Sequence, residues 1–150
     1  MGLIFSPSYF RIDRIRIWGL PIVIRQGDNR MQKRILVVDD DSMNLMRTKM
    51  ILGKDYAVLL ADSGVKALKK LKIEKVDLVL LDIEMPEMNG METFECMKEF
   101  APEIPVIFLT ASGLEEDVVS AIKLGAANYL KKPFEPEELM KRVAQEFDKA

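Results

Sequence analysis

Five short apolar runs alternate with amphipathic stretches after residue 30, and this alternation constrains the fold more than any other feature. The runs cover residues 35–38, 56–61, 76–82, 106–109 and 128–131. They are rich in Val, Ile and Leu, which is typical of strands buried on both faces of a sheet. Strands that alternate with helices are joined by right-handed crossovers. The sequence therefore predicts an α/β domain with a five-stranded parallel sheet and helices on both faces.

The helices between and after these runs should bury the apolar residues that recur at helical spacing. These residues are Met43, Met46 and Met50; Val65, Leu68 and Leu71; Met91, Phe94 and Met97; Leu114, Val118, Ala121 and Ile122; and Leu139, Val143 and Phe147. Ser42 can cap the first helix, and Gly53 and Gly125 are plausible helix ends.

Composition excludes several classes of protein. The chain has no His, which removes Ser-His-Asp and Cys-His nucleophile pairs and His-based metal sites. The single cysteine, Cys96, cannot form an intramolecular disulfide and suits a reducing, cytoplasmic compartment. A net charge of −2 gives no electrostatic case for direct binding of nucleic acid. No apolar run approaches the roughly 20 residues of a membrane helix, so no membrane insertion is expected.

Residues 1–30 differ in composition from the rest of the chain. They contain five Arg, no Lys, two acids and Trp18. Their charges are scattered among apolar residues, unlike the layout of a secretory signal. Alternating residues around 15–24 could form a small hairpin. We prefer a leader or upstream extension over residues 1–30, followed by one domain over residues 31–150.

Polar residues stand where four of the five apolar runs end. Asp39 and Asp40 follow the first run, Asp82 ends the third, Thr110 follows the fourth and Lys132 follows the fifth. Strands of a parallel sheet end at one edge, where open α/β sheets bind ligands. Any one of these residues alone would be assigned to a turn, a cap or the surface, but together they indicate a site.

Carboxylates gathered at this edge imply a cation. Two of them 4 Å apart repel by about 4 kcal/mol at an intermediate dielectric. An all-oxygen ligand set favours Mg²⁺ over Zn²⁺, and the carbonyl of Glu84 could add a ligand. Asp82 could then be a nucleophile toward a phosphoryl group. Lys132 would neutralise charge on the transferring oxygens, and the Thr110 hydroxyl would donate to one of them. Asp41 and Asp62 are interpreted as helix caps.

These motifs resemble the receiver domain of two-component response regulators, in particular stand-alone receivers such as the chemotaxis regulator. The matching segments are ILVVDD (35–40), LLDIEMPEMNG (80–90), LTA (109–111) and YLKKPF (129–134). The likeness covers residues 31–150. It implies the flavodoxin-like strand order 2-1-3-4-5.

The resemblance also implies roles for the site residues. Asp82 would accept a phosphoryl group from a histidine kinase or a histidine phosphotransfer protein. Asp39, Asp40, Asp82 and the backbone carbonyl of Glu84 would bind Mg²⁺. The phosphorylated state would act on a downstream protein target through the surface of helix 4, strand 5 and helix 5.

The remaining implied roles concern the switch. Thr110 and Lys132 would contact the phosphoryl group, and Tyr129 would move inward as Thr110 shifts. The Lys132–Pro133 peptide would be cis. Ser112 and Glu84 occupy positions that the family varies and that tune the dephosphorylation rate.

Three alternatives compete with this interpretation. A haloacid-dehalogenase-like phosphatase would explain Asp39-x-Asp41, Thr110 and a later Lys, but it leaves Asp82 without a role. A flavin module would need a phosphate site where three consecutive aspartates would repel one. The third is a receiver fragment of a larger regulator or hybrid kinase. Because no output domain follows Ala150, the sequence predicts a stand-alone receiver.

Overall fold

Five parallel strands form one sheet in the order β2-β1-β3-β4-β5. The structure is a computed structural model, and it describes residues 32–111 and 115–149. The elements are β1 (Arg34–Val38), α1 (Ser42–Leu52), β2 (Ala57–Ala61), α2 (Gly64–Ile73), β3 (Leu78–Asp82), α3 (Gly90–Lys98), β4 (Val106–Thr110), α4 (Glu115–Lys123), β5 (Asn128–Lys131) and α5 (Pro136–Asp148). The predicted fold class and strand order are confirmed. The expectations for residues 1–30 lie outside the described residues.

The register of the strands brings their carboxyl ends level with one another. Val38 pairs with Leu81, at the ends of β1 and β3. Asp82 pairs with Leu109 of β4, and Thr110 pairs with Lys131 of β5. Residues at or just after the strand ends are therefore neighbours in space, as the sequence predicts.

The apolar residues of the strands form two cores, one on each face of the sheet. One core combines Leu36, Val38, Val79, Leu81 and Phe108 with Ala67, Leu71, Phe94, Met97 and Ala121 from α2, α3 and α4. The other combines Ile35, Val37, Leu80, Ile107 and Leu109 with Leu45, Leu52, Leu139 and Val143 from α1 and α5. The sheet is thus covered on both faces, which is why its strands are apolar along their whole length.

The predicted inward face of α1 is wrong. Met43, Met46 and Met50 are 78%, 52% and 74% exposed, whereas Leu45 and Leu52 are buried. The buried positions follow the same helical spacing as the methionines but start two residues later along the chain. Spacing alone cannot choose between two stripes on one helix, and the packing of α1 on the sheet selects the leucines.

The other helices mostly follow the sequence pattern. Leu71, Phe94, Met97, Ala121, Leu139 and Val143 are buried, and Leu68, Met91 and Phe147 are partly buried against the cores. Val65 and Ile122 are about half exposed, so their predicted burial is wrong. The side chains of Leu114 and Val118 lie outside the described residues. None of the described helices is long and apolar enough to cross a membrane.

Two predicted helix caps are also corrected. Asp41, not Ser42, caps α1, because its Oδ1 accepts hydrogen bonds from the amides of Met43 and Asn44. Ser63 caps α2, whereas Asp62, interpreted as a cap, forms an ion pair with Lys66. The cap interpretation of Asp41 is therefore confirmed and that of Asp62 is wrong.

Candidate functional site

Three carboxylates gather where β1 and β3 end. Asp39 and Asp82 are buried and Asp40 is exposed, and one oxygen from each lies within 4.8 Å of the others. The backbone fixes the two buried residues, because the amide of Asp39 donates to the carbonyl of Ala61 over 3.1 Å. On the other side, the amide of Ile83 donates to the carbonyl of Leu109 over 3.0 Å. The structure therefore brings together the acids that the sequence predicts.

The loop between β3 and α3 packs directly against Asp82. A Cβ at Gly90 would lie 2.2 Å from the carbonyl oxygen of Asp82, so only glycine fits this close approach. The amide of Gly90 donates to the carbonyl of Ile83 over 2.9 Å. Asn89 and Glu92 form a capping box that begins α3 immediately after the loop. The Asn89-Gly90 turn thus packs against the backbone of Asp82 and Ile83 and fixes its position.

Lys132 supplies the cation that the acids need. Its Nζ lies 2.8 Å from Asp39 Oδ2 and 3.3 Å from Asp82 Oδ1. The amide of Lys132 donates to the carbonyl of Thr110 over 2.7 Å, which fixes the residue beside β4. The Lys132–Pro133 peptide is cis. Burial alone would lower the pKa of Lys132, but the hydrogen bond to Asp39 and the charges of Asp82 and Asp39 outweigh it and raise that pKa.

The carboxyl of Asp82 carries an unfavourable charge. Burial, which outweighs the lowering effect of the Lys132 charge, together with the charge of Asp39 raises the pKa of Asp82 to about 6. Asp82 Oδ1 is buried and accepts no well-aligned hydrogen bond from residues 32–111 or 115–149, and its contact with Lys132 is a longer ion pair of 3.3 Å. One lysine cannot balance three carboxylates. An all-oxygen set of two buried carboxylates and one exposed carboxylate fits a hard divalent cation such as Mg²⁺.

Thr110 meets an acidic partner that the sequence analysis did not predict. Its Oγ1 donates to Glu84 Oε2 over 3.2 Å, and the amide of Ala111 donates to Glu84 Oε1 over 3.3 Å. The contact could have been expected from the predicted strand order. Because β3 and β4 are neighbours, the residues after Asp82 lie beside those after Leu109.

Tyr129 lies away from this cluster. It is partly exposed on β5, and the guanidinium of Arg142 lies 6.0 Å from the centre of its ring. Ser112 lies outside the described residues. The acids, Thr110 and Lys132 thus occupy one edge of the sheet, and Tyr129 stands on its outer strand.

Comparison with known sequences assigns this arrangement to a family. A family model described as the response regulator receiver domain matches residues 35–144. The transcriptional regulatory protein ZraR of Klebsiella oxytoca is 42% identical over 115 residues, which are 76% of this chain and 26% of ZraR. CrdR of Helicobacter pylori is 39% identical over 120 residues, which are 79% of this chain and 56% of CrdR. The chain thus spans from about a quarter to just over half of the length of these relatives.

Solved structures agree with the sequence comparison. A CheY-like receiver domain protein from Methanospirillum hungatei JF-1 has a TM-score of 0.75 at 34% identity, covering 79% of this chain and 95% of that one. The chemotaxis protein CheY4 of Vibrio cholerae has a TM-score of 0.73 at 28% identity, covering 76% and 98%. The match over residues 35–144, the strand order and the acidic edge lead to one conclusion. The chain belongs to the response regulator receiver domain family of two-component systems.

Proposed function

We propose that Asp82 accepts a phosphoryl group from a phosphohistidine of a histidine kinase or histidine phosphotransfer protein. The observation that carries this proposal is the buried Oδ1 of Asp82, which accepts no well-aligned hydrogen bond from the part of the chain that the structure describes. It lies in the acidic cluster with Asp39 and Asp40 and 3.3 Å from Lys132 Nζ. A buried, under-solvated carboxylate beside a lysine has the reactivity of a nucleophile whose product is stabilised in the same site.

Asp39, Asp40, Asp82 and the backbone carbonyl of Glu84 would hold Mg²⁺. The three carboxylates are close enough to share one ion, and one of them, Asp40, is exposed to solvent. When bound, Mg²⁺ would neutralise part of the charge on the carboxylates and on phosphoryl oxygens. Burial and the charge of Asp39 raise the pKa of Asp82 and so disfavour its ionised form. A cation bound here would lower that pKa and favour the ionised, nucleophilic carboxylate.

The chain's own residues would then carry the transfer. A carboxylate oxygen of Asp82 attacks phosphorus and forms an acyl phosphate. The bond from phosphorus to the imidazole nitrogen of the donor breaks, and its electron pair stays on the ring. The ammonium of Lys132, kept charged by Asp39, stabilises the added negative charge. The domain is a signalling module in this proposal, and its catalytic contribution is to its own phosphorylation and dephosphorylation.

The output would pass from Thr110 to the outer strand. Thr110 pairs with Lys131 of β5, and its carbonyl accepts from the amide of Lys132. A shift of Thr110 toward a phosphoryl group would therefore move β5 and bias an equilibrium between two states. Tyr129 would turn inward in the active state. Exposed apolar residues at Val119, Ile122 and Leu124 would then help to dock a downstream protein target.

The proposal applies to the receiver domain, whether it acts alone or in a longer regulator. Relatives include MtrA of Mycobacterium tuberculosis, described as a DNA-binding response regulator, of which this chain matches 50%. The stand-alone state, the absence of direct contact with nucleic acid and a cytoplasmic location stay predictions. The haloacid-dehalogenase-like alternative needs Asp39 and Asp41 as its two acids. The carboxylate of Asp41 instead accepts hydrogen bonds from backbone amides at the start of α1, which disfavours that alternative.

Incubation with a small phosphodonor and Mg²⁺ tests the proposal. We expect the intact mass to increase by one phosphoryl group, and we expect no increase in the Asp82→Asn variant or when the metal is chelated. Asp62→Asn is the matched control, because it removes an exposed acid that follows β2. Labelling that persists in Asp82→Asn would reject Asp82 as the acceptor. A phosphotransfer profile against purified histidine kinases would then identify the upstream partner.

A further inference from the structure

The carboxylate of Glu84 occupies two hydrogen-bond donors beside Asp82. One oxygen accepts from the hydroxyl of Thr110 over 3.2 Å, and the other accepts from the amide of Ala111 over 3.3 Å. Both donors follow Leu109, the register partner of Asp82 on the adjacent strand. Asp82 and these donors therefore lie at the ends of two paired strands.

We propose that Glu84 is an internal competitor of the phosphoryl group for Thr110 and Ala111. This inference rests on the proposed phosphorylation of Asp82. A carboxylate and a phosphoryl group are both anionic acceptors, so they seek the same donors and repel each other when close. Glu84 must leave Thr110 and Ala111 before a phosphoryl oxygen can bind them. It is a positioning residue that acts through Thr110.

The geometry makes this competition reversible. Donor–acceptor distances of 3.2 and 3.3 Å are at the long end for hydrogen bonds, which usually fall near 2.7–3.0 Å. The side chain of Glu84 is exposed, so it can turn into water and remain solvated. The contact is thus strong enough to hold the donors in the unphosphorylated protein and weak enough to yield to a doubly charged group.

The competition would set the balance between the two states of the receiver. Thr110 is buried at the end of β4 and pairs with Lys131 of β5. While Glu84 holds the hydroxyl, Thr110 already has an anionic acceptor on the side of β3. Without that acceptor, Thr110 and Ala111 no longer have to exchange the Glu84 carboxylate for the phosphoryl group. The Glu84 side chain therefore reduces the free energy by which phosphorylation favours the active state.

Beryllofluoride, which with Mg²⁺ mimics an acyl phosphate on a carboxylate, tests the inference in the full chain. We expect Glu84→Ala to bind it about three- to tenfold more tightly than wild type, as measured by fluorine NMR titration. Glu84→Asp keeps the charge but is one methylene shorter, so it should bind as tightly as Glu84→Ala does. In the absence of beryllofluoride, the Ala111 amide resonance should shift in both variants.

Two controls separate competition from general charge repulsion. Glu87→Gln removes a charge from the same loop, and Glu87 makes no hydrogen bond among the described residues, so binding should equal that of wild type. In a Thr110→Ala background the effect of Glu84→Ala should shrink at least by half, because one of the contested donors is gone.

Several outcomes would overturn the inference. These are unchanged or weaker binding in Glu84→Ala, wild-type binding in Glu84→Asp, tighter binding in Glu87→Gln, and an undiminished effect in the Thr110→Ala background. If wild type takes up neither beryllofluoride nor a phosphoryl group on Asp82, the proposed function fails together with the inference. If wild type is phosphorylated and Glu84→Ala binds like wild type, the inference alone fails.

Discussion

An acid follows β1 and another follows β2, yet the two differ in almost every physical respect. The side chain of Asp39 is 3% exposed and pairs over 2.8 Å with Lys132, which lies 93 residues away. The side chain of Asp62 is 54% exposed and pairs over 3.0 Å with Lys66, one helical turn along the chain. β1 lies between β2 and β3, whereas β2 is an edge strand. Position in the sheet, and not residue type, decides which acid is buried in a site.

The largest difference should appear when each lysine is replaced. Lys132→Met leaves two buried carboxylates without their cation and should lower the free energy of unfolding by about 3 kcal/mol in the absence of metal. Lys66→Met removes an exposed pair and should change it by less than about 0.5 kcal/mol. Urea denaturation followed by circular dichroism at about pH 7 measures both. Mg²⁺ should restore part of the loss in Lys132→Met.

Equal losses in the two lysine variants would break the comparison. They would mean that the cluster of Asp39 and Asp82 is solvated well enough to stay charged without Lys132. Urea denaturation in the presence of Mg²⁺ distinguishes a loss of charge balance from a change in packing. A loss of stability caused by altered packing of the methionine side chain would not respond to metal, whereas a loss caused by unbalanced charge would.

A smaller effect concerns the pH dependence of Asp82. Its pKa is near 6 in the folded protein because of burial, against about 4 in an unfolded chain, so the folded state holds more protons between these values. The contribution of Asp82 to stability therefore falls as the pH rises from about 4 to about 6 and stays low above that. Asp82→Asn should gain about 1–2 kcal/mol relative to wild type between pH 4 and pH 7 without metal.

Urea denaturation of both proteins across this pH range measures the gain. The difference between them, rather than either curve, is informative because other carboxyls titrate in the same range. Addition of Mg²⁺ at about pH 7 should stabilise wild type and leave Asp82→Asn less affected, which narrows the gap. A constant difference from pH 4 to pH 7 would show that the folded protein solvates the Asp82 carboxylate fully.

The sequence predicted the sheet and the residues at its edge because both depend on patterns along the chain. Strand runs and helical stretches define the topology, and parallel strands place Asp39, Asp82, Thr110 and Lys132 together at one edge. The burial of α1 depends instead on how the helix is rotated against the sheet. Leu45 and Leu52 compete there with Met43 and Met50 at equivalent spacing, and only the packed structure decides between them.

The contact of Glu84 with Thr110 depends on side-chain conformation in a loop, which spacing does not encode. Glu84 lies two residues after Asp82 and outside any helix or strand. Its carboxylate has several conformers in water, and its partners are 26 and 27 residues away. Caps are more local than such contacts, because an acid or hydroxyl before a helix competes only with its neighbours along the chain. Even so, the predicted cap of α1 was Ser42, and the residue that caps it is Asp41.

The smallest expected effect concerns the helix caps in the turns after β1 and β2. Replacement of either cap should lower stability by a similar amount. Asp41 caps α1 after β1 and Ser63 caps α2 after β2. Asp41→Ala and Ser63→Ala should each lower the free energy of unfolding by about 1 kcal/mol, because one helix loses its acceptor in each case. Among the described residues, the contact of Asp41 with the site is made by its backbone amide, which donates to Asp39 Oδ1 over 2.9 Å and is kept in alanine. The Mg²⁺ affinity of Asp41→Ala, measured by calorimetry, should therefore fall by less than about threefold. A larger fall would place the Asp41 carboxylate within the metal site, and the turn after β1 would then have no residue with a purely structural role.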